Sequence, residues 1–252
     1  RAIENEGADV VVIDQGYDMA VNMASIRVDE ANKKAGNYFW SLIQDTAWDG
    51  YEEIPSDIMK GYWTQIHEVT EQIGKEKIDI LFLQTGVGSW AASIIGYIMK
   101  QWKNPPLCIS VEPHSANCLY ESIKTGFRVS VKNDQTTFMA GLNCGSVSTL
   151  AWNILKSGLV GSISISDKLS EEAMMVLASP ISGDPVVISG ESGASALGAL
   201  MGLCNTKDFN NFKDKICLNN KSTVLVINTE GDTDQSNYKR VVIDNIKNNF
   251  SF

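Results

Sequence analysis

The sequence predicts an α/β fold organised on a mostly parallel, doubly wound sheet. Three observations lead there. Short apolar runs rich in β-branched residues, at 8–14, 78–83, 107–111 and 223–228, alternate with longer stretches of helical period. A strand, helix and strand follow one another near the N-terminus within about 35 residues, the size of a βαβ unit. Three of the turns that follow strands carry glycine beside polar groups: Gly86-Val87-Gly88-Ser89, Gly190-Glu191-Ser192-Gly193 and Thr229-Glu230-Gly231-Asp232. In open parallel sheets, ligands gather beyond the C-terminal ends of the strands.

Taken in order, residues 1–6 read as the last turns of a helix stopped by Gly7. The run at 8–14 (ADVVVID) reads as a buried strand, 17–35 as a helix ended by Gly36, and 38–43 as the next strand. Residues 1–43 are thus expected to be the remainder of a smaller βαβ domain, and 44–252 a larger α/β domain. Opening on Arg1 rather than Met, and already in helical pattern, the chain reads as entered in mid-domain.

A polar, aromatic loop at 44–54 precedes a helix starting at Pro55-Ser56, whose stripe is Ile58, Met59, Tyr62, Ile66, Val69 and Ile73, with Gly74 as its cap. The strand at 78–83, the GVGS turn and an Ala-rich helix from Trp90 follow. Leu107 opens a further strand ended by Glu112-Pro113, and 116–123 a short helix. Phe127 to Val131 is a candidate strand, 137–144 a small-residue helix or loop, 147–155 a helix and 161–166 a strand. Beyond them come a helix to Leu177, a loop at 180–188, helices at 190–203 and 209–216, the strand at 223–228, and a surface helix in the tail to Phe252.

Lys and Arg total 21 against 30 Asp and Glu, for a net charge of −9, and they form no block; this excludes a nucleic-acid partner gripped through its phosphates. The five cysteines (Cys108, Cys118, Cys144, Cys204, Cys217) make no CxxC pair, which suits a reducing compartment better than a disulfide scaffold or zinc site. No segment has the length and apolarity of a membrane span, and no signal peptide is evident. A cytoplasmic protein without membrane or metal partners is expected.

The GVGS turn reads as a phosphate cradle. Glycine permits positive φ and close approach to the backbone, and the first turn of a helix leaves N–H groups for an anion. The plainer alternative is a tight strand-to-helix connection. A dinucleotide fingerprint also stays open, since Ala91 stands where a third glycine is usual and Glu112 lies near the place of the ribose-binding acid. The two acidic turns have capping loops as their plain reading, and the EGDTD run has weak cation character. Asp45 and Asp49 sit near Trp48 and Tyr51, where aromatic surroundings raise a carboxylate toward the range of a general base; surface acids are the plain alternative. His67 reads as ordinary, and His114, after a strand end, as a weak candidate.

Six blocks together resemble one family: QDTAWDGY (44–51), LQTGVGSWAAS (83–93), VEPHSANCLY (111–120), AGLNCG (140–145), DPVVISGESGA (184–194) and INTEGDTD (227–234). They are similar to diaminopropionate ammonia-lyases, pyridoxal 5'-phosphate enzymes of fold type II, the tryptophan synthase β-like group. The resemblance implies α,β-elimination of 2,3-diaminopropionate to pyruvate and ammonia, with an amino-acid substrate and a homodimer. It implies that Gly86, Val87, Gly88 and Ser89 hold the cofactor phosphate, and that Thr229 meets the pyridine nitrogen with a neutral hydroxyl. It further implies that Asp45 is an acid–base residue and that Glu191 and Ser192 line the cleft. Cys118 and Cys144 match a pair of family cysteines. The family's Schiff-base lysine, ring-contacting asparagine and second acid have no counterpart here, so the resemblance implies a C-terminal portion, inactive alone. A non-catalytic module that keeps the phosphate-binding fold, a dinucleotide enzyme, and another fold type II dehydratase are the competing readings.

Overall fold

The structure, a computed structural model, describes residues 2–132, 136–181 and 183–245. It divides into two units, Arg1–Ile43 and Gln44–Phe252. The first holds α1 (Ala2–Asn5) and α2 (Tyr17–Ala35), the latter closed by Gly36 at φ 68°. The two strands expected there do not form. A strand is stabilised by a ladder partner and a covered face. Neither stretch has a partner strand among the described residues, and Val12 and Tyr38 are 89% and 98% exposed. A side chain does the tying instead: the Asn32 amide donates to the Trp40 carbonyl and accepts from its N–H.

The second unit carries a four-stranded sheet in the order β3-β2-β1-β4, from β1 (Ile80–Gln84), β2 (Leu107–Pro113), β3 (Leu159–Ile165) and β4 (Val224–Val226). Every pairing is parallel, with Ile80 opposite both Leu107 and Val224. The chain winds outward through β2 and β3, then returns to the far side of β1 as β4. The switch point therefore falls at the C-terminal end of β1, where such sheets bind ligands.

All of β1 is buried, because helices cover both faces and its residues alternate between them. Leu81 and Leu83 pack on one side with Met59 of α3 (Glu53–Gly61), Ile66 of α4 (Trp63–Ile73), Ile94, Ile95 and Ile98 of α5 (Ser89–Gln101), and Leu155. Ile80 and Phe82 face Ala196, Ala199 and Leu203 of the opposite layer. The remaining helices are α6 (Cys118–Thr125), α7 (Thr149–Gly158), α8 (Asp167–Ala178), α9 (Glu191–Asn205), α10 (Asn210–Lys215) and α11 (Gln235–Tyr238).

Two local expectations change, and one open alternative resolves as a loop. The single helix foreseen from Pro55 is two, separated at Tyr62 just after Gly61, a poor helix former. Phe127 to Val131 is not a strand: the Val131 N–H donates to the Gly145 carbonyl and Ser130 Oγ bonds Ser146 Oγ, but no ladder forms among the described residues. Only a 3-10 turn, Ala140–Leu142, forms within 137–144. Of the helix expected in the tail, α11 and a π-turn over Lys239–Ile243 form, and residues 246–252 lie outside the described residues.

Candidate functional site

The site grows from the end of β1. After Thr85 the chain turns at Gly86, and Gly88 takes φ 91° to enter α5. A Cβ at Gly86 would stand 3.1 Å from both the Gly141 carbonyl oxygen and Cys144 Sγ, so the turn lies tight against the 140–145 loop. Among the described residues, the N–H groups of Gly86, Val87, Gly88 and Ser89 have no backbone acceptor. They are clustered donors at the positive end of a 13-residue helix. The residues that would meet a Cβ at Gly86 or Gly88 are Gly141, Leu142, Cys144, Val147, Ala151 and Leu155, none of them a lysine.

Asp45 is drawn to this turn. Ser89 Oγ donates to the Asp45 carbonyl at 2.8 Å. Two residues on, the Ala47 N–H donates to Ser148 Oγ at 2.9 Å, while the Ser148 N–H donates to the Val87 carbonyl at 2.9 Å. Ser148, fully buried, thus staples the 44–51 loop and the glycine turn together just ahead of α7. Trp48 and Tyr51 stack with ring centroids 4.6 Å apart. Burial, and after it the charge of Asp45, raises the Tyr62 hydroxyl above its ordinary value. Tyr62 therefore lies within the field of Asp45.

The other two glycine turns join next: the one at 190–193 follows a loop rather than the expected strand and opens α9 in the opposite layer, and the one at 229–232 follows β4. Ser192 Oγ accepts from the Gly141 N–H at 3.1 Å, and Glu230 Oε1 accepts from the N–H groups of Ser192 and Gly193 at 2.5 and 3.2 Å. Glu230 so caps α9. Glu191 is 9% exposed, and burial leads the causes that raise its carboxyl above the usual range, with Glu230 and Asp234 adding to it. On β1 itself, Gln84 Nε2 donates to the Ile227 carbonyl and to Thr229 Oγ1, both at 2.8 Å. Asp45, the 86–89 turn, Ser192 and Thr229 are thus linked at one end of the sheet, through Gly141, Glu230 and Gln84.

Other candidates fall elsewhere. Glu112 cannot serve a ribose: it is completely buried and accepts from the N–H groups of Leu119 and Tyr120 at 2.8 and 2.6 Å. Burial pushes its carboxyl up to about 8 against those two bonds and the Cys118 thiol. Cys118 and Cys144 are both buried. His114 bonds Ser164 of β3 at 2.7 Å, and His67 bonds Tyr97 at 3.0 Å. Among the described residues, no group of three or more His, Cys, Asp or Glu is set to hold a metal, and no helix is long and apolar enough to cross a membrane. Sequence reasoning missed Gln84, Ser148 and Tyr62. The one signal for Gln84 was a polar residue closing a wholly apolar strand.

A family model described as "Pyridoxal-phosphate dependent enzyme" matches residues 1–230. The chain belongs to that family. It is 39% identical over 244 residues to diaminopropionate ammonia-lyase of Escherichia coli K12, covering 96% of this chain and 60% of that protein. The corresponding enzyme of Salmonella typhimurium is 40% identical over 247 residues, covering 95% of this chain and 59% of its own length. A crystal structure of the holo Escherichia coli enzyme superposes with a TM-score of 0.86 at 37% identity, covering 97% of this chain and 60% of that one. The chain therefore spans about three fifths of the length of these relatives. The dinucleotide reading of the turn gives way to the pyridoxal-phosphate family.

Proposed function

We propose that this chain forms the phosphate-holding and substrate-facing part of a lyase that converts 2,3-diaminopropionate to pyruvate and ammonia by α,β-elimination. The observation that carries the reading is the bond from Ser89 Oγ to the Asp45 carbonyl, in a chain 39% identical to a diaminopropionate ammonia-lyase. It keeps the acid of the 44–51 loop beside the turn that binds the anion.

The residues present fit pyridoxal phosphate. Four N–H donors at a helix start match a phosphate group, and glycines keep side chains away from it. When bound, the cofactor supplies an electron sink for elimination. The protein's own work is distributed around it. Gly86, Val87, Gly88 and Ser89 hold the phosphate, Thr229 faces the ring nitrogen, and Glu191 and Ser192 line the cleft. Asp45 takes or gives a proton at the substrate's reacting atoms, with Tyr62 in its field. The lysine that engages the cofactor aldehyde and the second acid are assigned outside these 252 residues. Residues 1–43 belong to the smaller domain and 44–252 to the larger, within a cytoplasmic homodimer that serves amino-acid catabolism.

The test is pyruvate release from each enantiomer of 2,3-diaminopropionate by the full protein with pyridoxal phosphate supplied. Asp45→Asn should keep the cofactor absorbance and lose turnover of at least one enantiomer by roughly 10²-fold or more. Undiminished turnover of both removes Asp45 from the mechanism, and no pyruvate from either by the unmodified protein defeats the reading.

A further inference from the structure

Gln84 occupies the last position of the central strand and is 4% exposed. Its amide is oriented by chemistry alone. The Ile227 carbonyl oxygen can only accept, so the end of the amide 2.8 Å from it is the nitrogen. That nitrogen has a second proton, directed at Thr229 Oγ1, also at 2.8 Å. Thr229 therefore accepts from Gln84. Turning the amide over would set Oε1 against the Ile227 carbonyl and leave two acceptors facing each other, at a cost of about 1–3 kcal/mol for each unpaired group. Oε1 is buried and has no partner among the described residues, so nothing on that side pulls the amide round.

With one lone pair taken, Thr229 Oγ1 has a single proton left to give, and among the described residues nothing accepts it. We infer that Gln84 is a positioning residue: its amide turns the Thr229 hydroxyl into a donor, so that a ring nitrogen placed against Thr229 is held unprotonated. The inference rests on the reading of Thr229 given above. A protonated ring nitrogen would have to use the remaining lone pair, stranding the hydroxyl proton. Carboxylates at this end of the sheet that would favour a protonated ring are Asp45, on the loop tied to Ser89, and Glu191, Glu230, Asp232 and Asp234. Glu230 is already committed to the Ser192 and Gly193 N–H groups. Glu191 heads α9, Asp232 lies near Tyr238, and Asp234 caps α11 through the Asn237 N–H.

The probe is 4'-deoxypyridoxine 5'-phosphate labelled with ¹⁵N in the ring. It carries the phosphate and the ring nitrogen but no aldehyde, so its binding to the intact chain needs no lysine. The ¹⁵N shift, followed against pH, gives the protonation state of the bound ring. On the unmodified chain the ring nitrogen's pKa should fall by roughly 1 unit or more from its value free in solution. Gln84→Leu, or the near-isosteric Gln84→Met should the first not fold, should return it toward the free value while phosphate binding persists. A pKa that stays depressed in the Gln84 variant overturns the inference, as does an undepressed pKa on the unmodified chain. Thr229→Val separates the two layers. If it leaves shift and affinity unchanged, the reading of Thr229 itself fails. If it changes them while the Gln84 variant does not, Thr229 stands and the role of Gln84 falls. Failure of the unmodified chain to bind the probe defeats the cofactor site as a whole.

Discussion

Gly88→Ala tests whether the 86–89 turn is as tightly specified as its geometry says. At φ 91° an alanine is strained by about 1–2 kcal/mol, since a Cβ in left-handed backbone crowds the carbonyl. The added methyl would also stand 2.6 Å from Leu155 Cδ1 and 3.4 Å from Ala151 Cβ. Leu155 is completely buried in the core and has no room to withdraw, so overpacking adds about 1–3 kcal/mol. Lost freedom of the unfolded chain returns about 0.4–1 kcal/mol. The net expectation is a loss of roughly 1–5 kcal/mol, which at an ordinary urea m-value lowers the unfolding midpoint by about 1 M. Tryptophan fluorescence in a urea titration reads it. Gly96→Ala in α5 is the control: its Cβ meets nothing within 4 Å, so it should be neutral or more stable by up to about 1 kcal/mol. Leu155→Ala removes the clash but not the strained φ, so the double variant should lose less than the sum of the two single variants. If Gly88→Ala unfolds at the same urea concentration as Gly96→Ala, both the strain and the contact are refuted. Moving Leu155 also disturbs α7, which follows Ser148, so affinity for inorganic phosphate should fall with stability.

Further expectations concern the acids. Glu230→Ala removes the acceptor for two N–H groups at the start of α9 and should cost about 1–2 kcal/mol, Glu230→Gln less; equal midpoints for Ala and unmodified protein would refute the cap. Glu112, raised from 4.5 to about 8 by burial, binds its proton more tightly folded than unfolded. Its contribution therefore favours the fold below about 4.5 and is lost as pH climbs through about 8, with a slope of at most about 1.4 kcal/mol per pH unit. Thermal unfolding of Glu112→Gln across that window should lack this slope, and parallel profiles would refute it. Ser148→Ala should loosen the 44–51 loop, seen as faster hydrogen exchange at Ala47 than in the parent; unchanged exchange there would remove the staple.

Much of this was legible in the sequence, for physical reasons that differ by element. β1 and β2 announce themselves because a strand covered on both faces must be apolar almost throughout. The 86–89 turn shows because positive φ at Gly88 leaves few residue choices. The strands expected at 8–14 and 38–43 failed because β propensity describes a fit to neighbours and cannot supply them. Residues 45 and 89, 141 and 192, or 84 and 229 are brought together by the winding of the sheet. No periodicity encodes those meetings, and only the six family blocks placed them near one another. Ser148 and Gln84 stayed invisible because each acts through hydrogen bonds to segments distant in sequence.

β4 pairs with β1 over only three residues, and the Thr223 N–H reaches back to Asp79 across 144 positions of sequence. Closing so long a loop for so few rungs costs entropy early and returns little until the sheet is otherwise built. β4 should therefore dock last during folding, after β1, β2 and β3 have formed the 86–89 turn. On the proposed roles of that turn and of Thr229, the growing protein would grip an anion before it has a seat for a ring. Pulse-labelling hydrogen exchange reads this order directly: protection at Val224 to Val226 should trail protection at Leu81 to Leu83, and simultaneous protection would contradict it. On the same proposed roles, pyridoxal phosphate would act as a late clasp, drawing the last strand onto a scaffold that already holds its other end.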